Sequence, residues 1–178
     1  MKPAVPPPEP LFDAIGRVAY AWSSMEAEFA QLLAALLHTP MAALMSVGQS
    51  FGVMHNQVEA ISDLPPQVEQ YDTPRQRLTG DQRARIKEVL TASKVLSEER
   101  SQIVHCVWIA TDEPSAWIIA RPRRYQLMIH SERLKRLSIE KMHRVARDIE
   151  ALEARIRNLG ANVDHRLYML AEAPELDP

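Results

Sequence analysis

The chain has 178 residues, of which 46% are hydrophobic, and its formal net charge is −2. This length suits one domain with a sizeable core, and no apolar run reaches the roughly 18 residues that a membrane-spanning helix needs. We therefore expect no transmembrane segment and no membrane partner. The single cysteine, Cys106, cannot form an internal disulfide and builds no metal site without other thiols, which favours a reducing, cytoplasmic setting.

Charge is distributed unevenly along the chain. Residues 121–157 hold 11 Lys and Arg against 5 Asp and Glu, a balance of +6, whereas residues 1–120 carry a balance of −5. Such a local excess of positive charge is able to attract nucleic acid or an acidic partner. The simpler interpretation, which we favour, is a solvated helix face that pairs with the acidic half of its own chain or of a second subunit.

The two ends of the chain differ in character from the rest. Residues 1–10 are rich in proline and lack the apolar core of a signal peptide, so they predict a disordered, extended arm. Residues 172–178 form an acidic tail that contains proline. We expect a single domain over residues 11–171.

The first predicted helix runs from about Leu11 to His38. Its apolar residues recur at spacings of three and four, which is typical of a helix face turned toward a core: Leu11, Ile15, Val18, Trp22, Met25, Phe29, Leu32 and Leu36, with Phe12, Ala19 and Leu33 at the margins.

The later elements follow from the same periodicity and from turn signals. We predict a second helix over about 40–62, whose inward residues are Leu44, Val47, Phe51, Met54, Val58 and Ile61. A polar connector over 63–80 leads to a third helix that begins at about 79–81. A flap over about 107–130 follows, with strands Val107–Ala110 and Ala116–Ala120 and a possible third at Tyr125–Ile129, and a last helix runs from about Ser138 to Ala171. The fold class predicted is all-α: a four- to five-helix up-and-down bundle with a small β-hairpin or flap inserted before the last long helix.

Arg100 interrupts the apolar face of the third helix. That face continues through Leu96 and Ile103, and a guanidinium among such neighbours is costly unless a group of opposite charge meets it. Glu26, on the edge of the first helix's apolar face, is the candidate intramolecular partner. The alternative is that the face opens into a site that binds an anion such as phosphate.

The residues Arg100-Ser101-Gln102-Ile103-Val104-His105 place an arginine and a histidine near the predicted end of the third helix. An arginine also precedes a histidine with four to six residues between them at Arg123–His130, Arg124–His130 and Arg136–His143. None of these three pairs lies at the predicted end of a long helix. With Ala21-Trp22-Ser23-Ser24-Met25-Glu26 in the first helix, this arrangement resembles the HEPN superfamily of helical domains, which carry an Arg-x4–6-His motif in the third long helix.

The resemblance implies a metal-independent endoribonuclease of the bacterial defence or toxin type, with a composite site at a homodimer interface and no cofactor. Arg100 would hold the phosphate, His105 would transfer protons, Ser101 would orient the imidazole, and Glu26 would position or neutralise Arg100. Ser101 departs from the family pattern, in which Asn, Asp or His usually follows the arginine. RNA and a cognate protein partner are the macromolecular partners that the resemblance implies.

A second function stays open at this stage. The same helices are compatible with a non-catalytic helical dimer that acts as a protein-interaction module, with Arg100 and Glu26 as a structural pair. The histidines outside the motif show no paired metal-ligand spacing, so we predict no metal site. The long apolar faces of the first and last helices favour a homodimer in either case.

Overall fold

The structure is a computed structural model that describes residues 9–64, 78–105, 107–110, 116–120 and 135–171. These residues form five helices and three strands: α1 (Glu9–Leu37), α2 (Pro40–Met45), α3 (Phe51–Ser62), α4 (Gly80–Val104), β1 (Val107–Ala110), β2 (Ala116–Ala120), β3 (Lys135–Ser138) and α5 (Ile139–Ala171). The predicted all-α class, with a small β element before the last long helix, is confirmed.

The chain separates into two compact units. Unit 1 comprises the described residues within Met1–Ser23 and Ser93–Ala151, and unit 2 comprises those within Ser24–Ala92 and Leu152–Pro178. Each of the three long helices contributes one segment to each unit. Unit 1 contains the end of α4 and the strands, whereas unit 2 contains the short helices α2 and α3.

Local side-chain contacts fix where the long helices begin. At α4, the Gln82 backbone N–H donates to Thr79 Oγ1 at 3.1 Å, and the Thr79 N–H donates to Gln82 Oε1 at 2.9 Å, which is a reciprocal capping box. At α5, the Lys141 N–H donates to Ser138 Oγ at 3.2 Å, so Ser138 caps that helix. Both starts agree with the sequence prediction.

The apolar face predicted for α1 is largely buried. Val18, Met25 and Phe29 are fully buried, and Trp22 is 2% exposed. The predicted widening of this face by Phe12 is wrong, because Phe12 is 58% exposed. On α5 the prediction holds throughout the described positions, which are all buried: Met142, Val145, Ile149, Leu152, Ile156 and Leu159.

The predicted second helix is interrupted. It divides into α2 and α3, and between them Gly48 adopts a φ of +81°, a left-handed conformation that favours glycine. The break turns Leu44 and Val47, both predicted to face inward, toward solvent at 64% and 79% exposure. Met54 and Val58, beyond the break, are buried as predicted.

The three strands form one antiparallel sheet in the order β1-β2-β3. Ala120 pairs with Val107 and Ile119 pairs with Trp108, while on the other edge of β2 Ile119 pairs with Lys135. β1 and β2 have the predicted bounds. The third strand is Lys135–Ser138, and the possible strand at Tyr125–Ile129 lies outside the described residues.

Two further predictions bear on the ends and on membranes. Most of the Pro-rich arm and the acidic tail over 172–178 lie outside the described residues, but Glu9 and Pro10, assigned to the arm, are the first residues of α1. Among the described residues, no helix combines the length and the apolar character needed to cross a bilayer.

Candidate active site at the end of helix α4

The end of α4 positions the predicted pair. The last helical turn closes with the His105 backbone N–H donating to the Ser101 carbonyl at 3.2 Å. Val107, Trp108 and Ile109 follow as strand β1, since β-branched and aromatic residues favour extended backbone. His105 is therefore the residue at which the chain leaves the helix, and its side chain is exposed.

Arg100 and His105 are in direct contact within unit 1. Arg100 Nη1 lies 2.8 Å from His105 Nε2. Residues five apart are about 140° apart on an ideal helix, so their side chains do not share a face. The contact forms because α4 ends at Val104, which frees His105 from the helical direction, and because the arginine side chain is long.

The donor and acceptor roles in this contact follow from chemistry. A guanidinium has only N–H donors, so His105 Nε2 must accept the hydrogen bond. The imidazole is then neutral, with its proton on Nδ1. Protonation at Nε2 would remove the acceptor and place two cations against each other. The pair thus holds an unprotonated ring nitrogen beside a permanent positive charge.

An aromatic ring supports the rest of the guanidinium. Arg100 Cζ lies 5.6 Å from the centroid of the Trp22 ring, within the range of a cation–π interaction. Trp22 comes from the buried face of α1 in the same unit. Arg100 itself is half-buried, and its Nε is buried without a hydrogen-bond partner among the described residues. The cation is thus held in place with one donor left unused.

The charges nearest to this pair in sequence are acidic. Glu98 is exposed, whereas Glu99 forms an ion pair with Lys141 of α5, with Nζ and Oε1 3.6 Å apart. Within unit 1, no carboxylate of the described residues forms an ion pair with Arg100. Lys141 offsets the charge of Glu99, which would otherwise oppose an anion at Arg100.

The two remaining site predictions are neither supported nor contradicted. Ser101 is half-buried and interacts with other residues, and its role in orienting His105 stays a prediction. Glu26 is also half-buried and engaged, but it belongs to unit 2. Its pairing with Arg100 therefore stays a prediction as well.

Sequence reasoning missed two neighbours of the pair. Trp22 lies on the predicted core face and in the segment that resembles the HEPN pattern, but nothing in its periodicity indicates that its ring meets Arg100. Lys141 was counted only in the positive charge of residues 121–157. Because both contacts join residues far apart in sequence, helical spacing alone carries no signal for them.

Other histidines have structural surroundings. In unit 2, His55 Nε2 lies 3.1 Å from the Leu90 carbonyl, and its ring packs edge-on against Phe51 with centroids 5.8 Å apart. His55 is thus a hydrogen-bonded packing residue of unit 2. In the part of the chain that the structure describes, no group of three or more His, Cys, Asp or Glu residues is arranged to hold a metal ion.

Comparison of the chain with family models, with curated proteins and with solved structures finds no match. The assignment of function therefore rests on the residues at the end of α4 and on the chemistry that they are able to perform.

Proposed function

We propose that the protein is an endoribonuclease in which Arg100 binds the scissile phosphate and His105 transfers protons, without a metal ion. The observation that carries this proposal is the 2.8 Å contact between Arg100 Nη1 and His105 Nε2, at an exposed helix end. The resemblance of this motif to the HEPN superfamily supports the same chemistry.

The pair provides the two groups that RNA cleavage needs. A phosphodiester draws the guanidinium donors away from the imidazole, because hydrogen bonds between charged groups are stronger than those to a neutral ring. Once released, His105 Nε2 is free to act as a general base.

The nucleophile and the leaving group of the reaction both belong to the RNA. His105 Nε2 takes the proton of the ribose 2′-hydroxyl, the 2′-oxygen attacks phosphorus, and the bond to the 5′-oxygen breaks. The leaving 5′-oxygen takes up a proton. The products are a 2′,3′-cyclic phosphate and a free 5′-hydroxyl, and Arg100 stabilises the charge that develops on the phosphoryl oxygens.

A homodimer would complete this arrangement. Two facing copies of the α4 end would offer two imidazoles around one phosphate, of which a neutral one acts as the base and a protonated one as the acid. In this proposal, the second imidazole supplies the proton to the 5′-oxygen.

The test compares two exposed histidines that each follow a helix end. Single-stranded and structured RNA are incubated with the wild-type chain, with His105→Ala and with His38→Asn, in the presence of a chelator. His38 ends α1 at a φ of 53°, a conformation that asparagine tolerates. We expect His105→Ala to lower the cleavage rate by about 10²–10⁴-fold and His38→Asn to leave it unchanged.

The products provide an independent check on the chemistry. We expect 2′,3′-cyclic phosphate ends and no cleavage of the same RNA with 2′-O-methyl groups. Cleavage that survives His105→Ala would remove this residue from the mechanism. Cleavage of 2′-O-methyl RNA would exclude attack by the 2′-oxygen.

A second candidate function is a non-catalytic protein-interaction module. It is favoured by large apolar side chains exposed in and around α2 in unit 2: Met41, Leu44, Met45 and Val47, at 58% to 79% exposure. Such a surface is typical of an interface. If it is one, Leu44→Lys with Met45→Lys abolishes self-association or partner binding in sedimentation velocity while the thermal midpoint stays unchanged. A wild-type chain that cleaves no RNA favours this function over the nuclease.

A further inference from the structure

Positive charge is concentrated where the sheet leads into α5. Residues 135–147, here called the basic segment, contain one acidic residue, Glu140, and five basic ones: Lys135, Arg136, Lys141, Arg144 and Arg147. The balance of this segment is +4. The next ten residues, 148–157, carry a balance of −1. The charge of α5 therefore changes sign along the helix.

The basic segment lies close to the end of α4. Lys141 reaches Glu99, the residue directly before Arg100, at 3.6 Å. In the sheet, Lys135 pairs with Ile119, which pairs in turn with Trp108, three residues after His105. Two strand spacings amount to about 10 Å, comparable to the distance over which salt screens charges under physiological conditions. The sheet thus places the backbone of β3 about 10 Å from β1, the strand that follows the end of α4.

The arginines of α5 differ in whether their charge is already neutralised. Arg155 pairs with Glu88 at 3.1 Å, and Arg157 pairs with Glu28 at 2.8 Å and with Glu153. Arg144 and Arg147, by contrast, are exposed. Neither forms an ion pair with any residue that the structure describes, including Glu140 and Asp148, which are near them in sequence. Their charge is therefore available to a ligand.

We propose that the basic segment binds the phosphate backbone of the RNA that Arg100 and His105 cleave. This inference rests on the proposed nuclease function and assigns it a substrate-binding surface. The regularly spaced phosphate groups of a single RNA strand match cations that are spaced along the protein. Each such contact releases a counterion that was condensed on the RNA. Contacts to phosphate carry no sequence information, so the segment binds RNA irrespective of sequence and delivers the RNA strand to the site.

The salt dependence of binding is the property that identifies such a surface. Each phosphate contact adds to the slope of log affinity against log salt concentration, and loss of one basic residue lowers that slope by roughly one. A merely structural arginine does not change the slope. Measuring the slope therefore separates phosphate contacts from effects on the fold.

The experiment uses the 178-residue chain with His105→Ala, which we expect to bind RNA with little cleavage. The affinity for a fluorescein-labelled single-stranded RNA is measured by anisotropy at several salt concentrations. The test variant carries Arg144→Gln with Arg147→Gln, two exposed arginines three residues apart on α5. The matched control is Arg155→Gln, which removes an arginine of the same helix that is already paired with Glu88.

We expect the double variant to lower the slope by roughly two and the control to leave it unchanged. RNA binding whose slope is the same in all variants would overturn the basic segment as the binding surface, while the proposal for Arg100 and His105 would stand. A wild-type chain that binds no RNA at any salt concentration would overturn both. Tight binding of poly-L-glutamate in place of RNA would identify an acidic protein as the partner instead.

Discussion

Arg157 in unit 2 is held by two carboxylates, whereas Arg100 in unit 1 contacts a neutral imidazole and the face of an indole. The hydrogen bond that Arg157 donates to Glu28, together with the negative charge of that carboxylate, raises the pKa of Arg157 above its ordinary value. A guanidinium that is already neutralised in this way has little attraction left for a further anion.

Within unit 1, neither described neighbour of Arg100 carries a negative charge. Trp22 stabilises the cation without neutralising it, and His105 accepts one hydrogen bond. The comparison shows that the position of a cation on an apolar helix face does not by itself define its role. The charge of the groups in contact with the cation determines that role.

The largest effect is expected from Arg100→Ala. If the retained charge of Arg100 stabilises the phosphoryl group, its removal lowers the rate of RNA cleavage by about 10³-fold or more, as for other arginines that act in phosphoryl transfer. Arg157→Ala, which removes a neutralised arginine, leaves the rate unchanged. The measurement is single-turnover cleavage at saturating protein. Equal rate losses in both variants would remove the distinction between the two arginines.

Next in size is the effect of Phe29→Ala on stability. Phe29 is fully buried in unit 2 and packs edge-on against Phe51 with centroids 5.1 Å apart. We expect a loss of about 3–5 kcal/mol in the free energy of unfolding, measured in urea. Phe12→Ala is the control, since an exposed phenylalanine of the same helix should cost less than about 0.5 kcal/mol. Similar losses in the two variants would show that the face of α1 is wrongly assigned.

A smaller effect is expected from Trp22→Phe. The variant keeps an aromatic ring in the core of unit 1 but weakens the interaction with Arg100, because indole is the strongest partner for a cation. We expect about 1 kcal/mol less favourable binding of RNA to the His105→Ala chain. Tyr20→Phe, at an exposed position of the same helix, should leave binding unchanged. An unaltered affinity in Trp22→Phe would mean that the ring does not hold the cation in its binding position.

The smallest effects concern two glycines of unit 2. Gly160 lies inside α5, where an added Cβ would meet the Leu32 Cα at an ordinary distance of 3.9 Å. Gly160→Ala should therefore stabilise the fold by about 0.5–1 kcal/mol. Gly48→Ala should destabilise it by about 1 kcal/mol, because Gly48 has a φ of +81°. If both variants shifted the thermal midpoint of unfolding in the same direction, the different backbone roles assigned to Gly160 and Gly48 would be contradicted.

Most of the fold could be predicted because its signals are local. The capping residues Thr79 and Ser138 mark the starts of α4 and α5, and the period of the apolar residues identifies the buried faces. The break between α2 and α3 was missed because Leu44 and Val47 continue the apolar period. The glycine at position 48 was the only hint of a break in this stretch, because glycine readily adopts a positive φ. The φ of +81° itself is visible only in the structure.

The candidate site could be predicted only in its residue types. The motif identified Arg100 and His105, but on an ideal helix they point apart, and their contact depends on the helix ending at Val104. The approach of Trp22 and the pairing of Lys141 with Glu99 join distant parts of unit 1. Tertiary packing determines such contacts, and no local period records them.

The most direct test of the central claim is the protonation state of the His105 ring. Long-range proton–nitrogen NMR spectra distinguish the two neutral tautomers and the imidazolium. If Arg100 donates to Nε2, the neutral ring carries its proton on Nδ1, and this preference disappears in Arg100→Gln or when a nucleoside 3′-phosphate draws the guanidinium away. A ring that carries its proton on Nε2 in the free protein, and that does not respond to Arg100→Gln, would contradict the account.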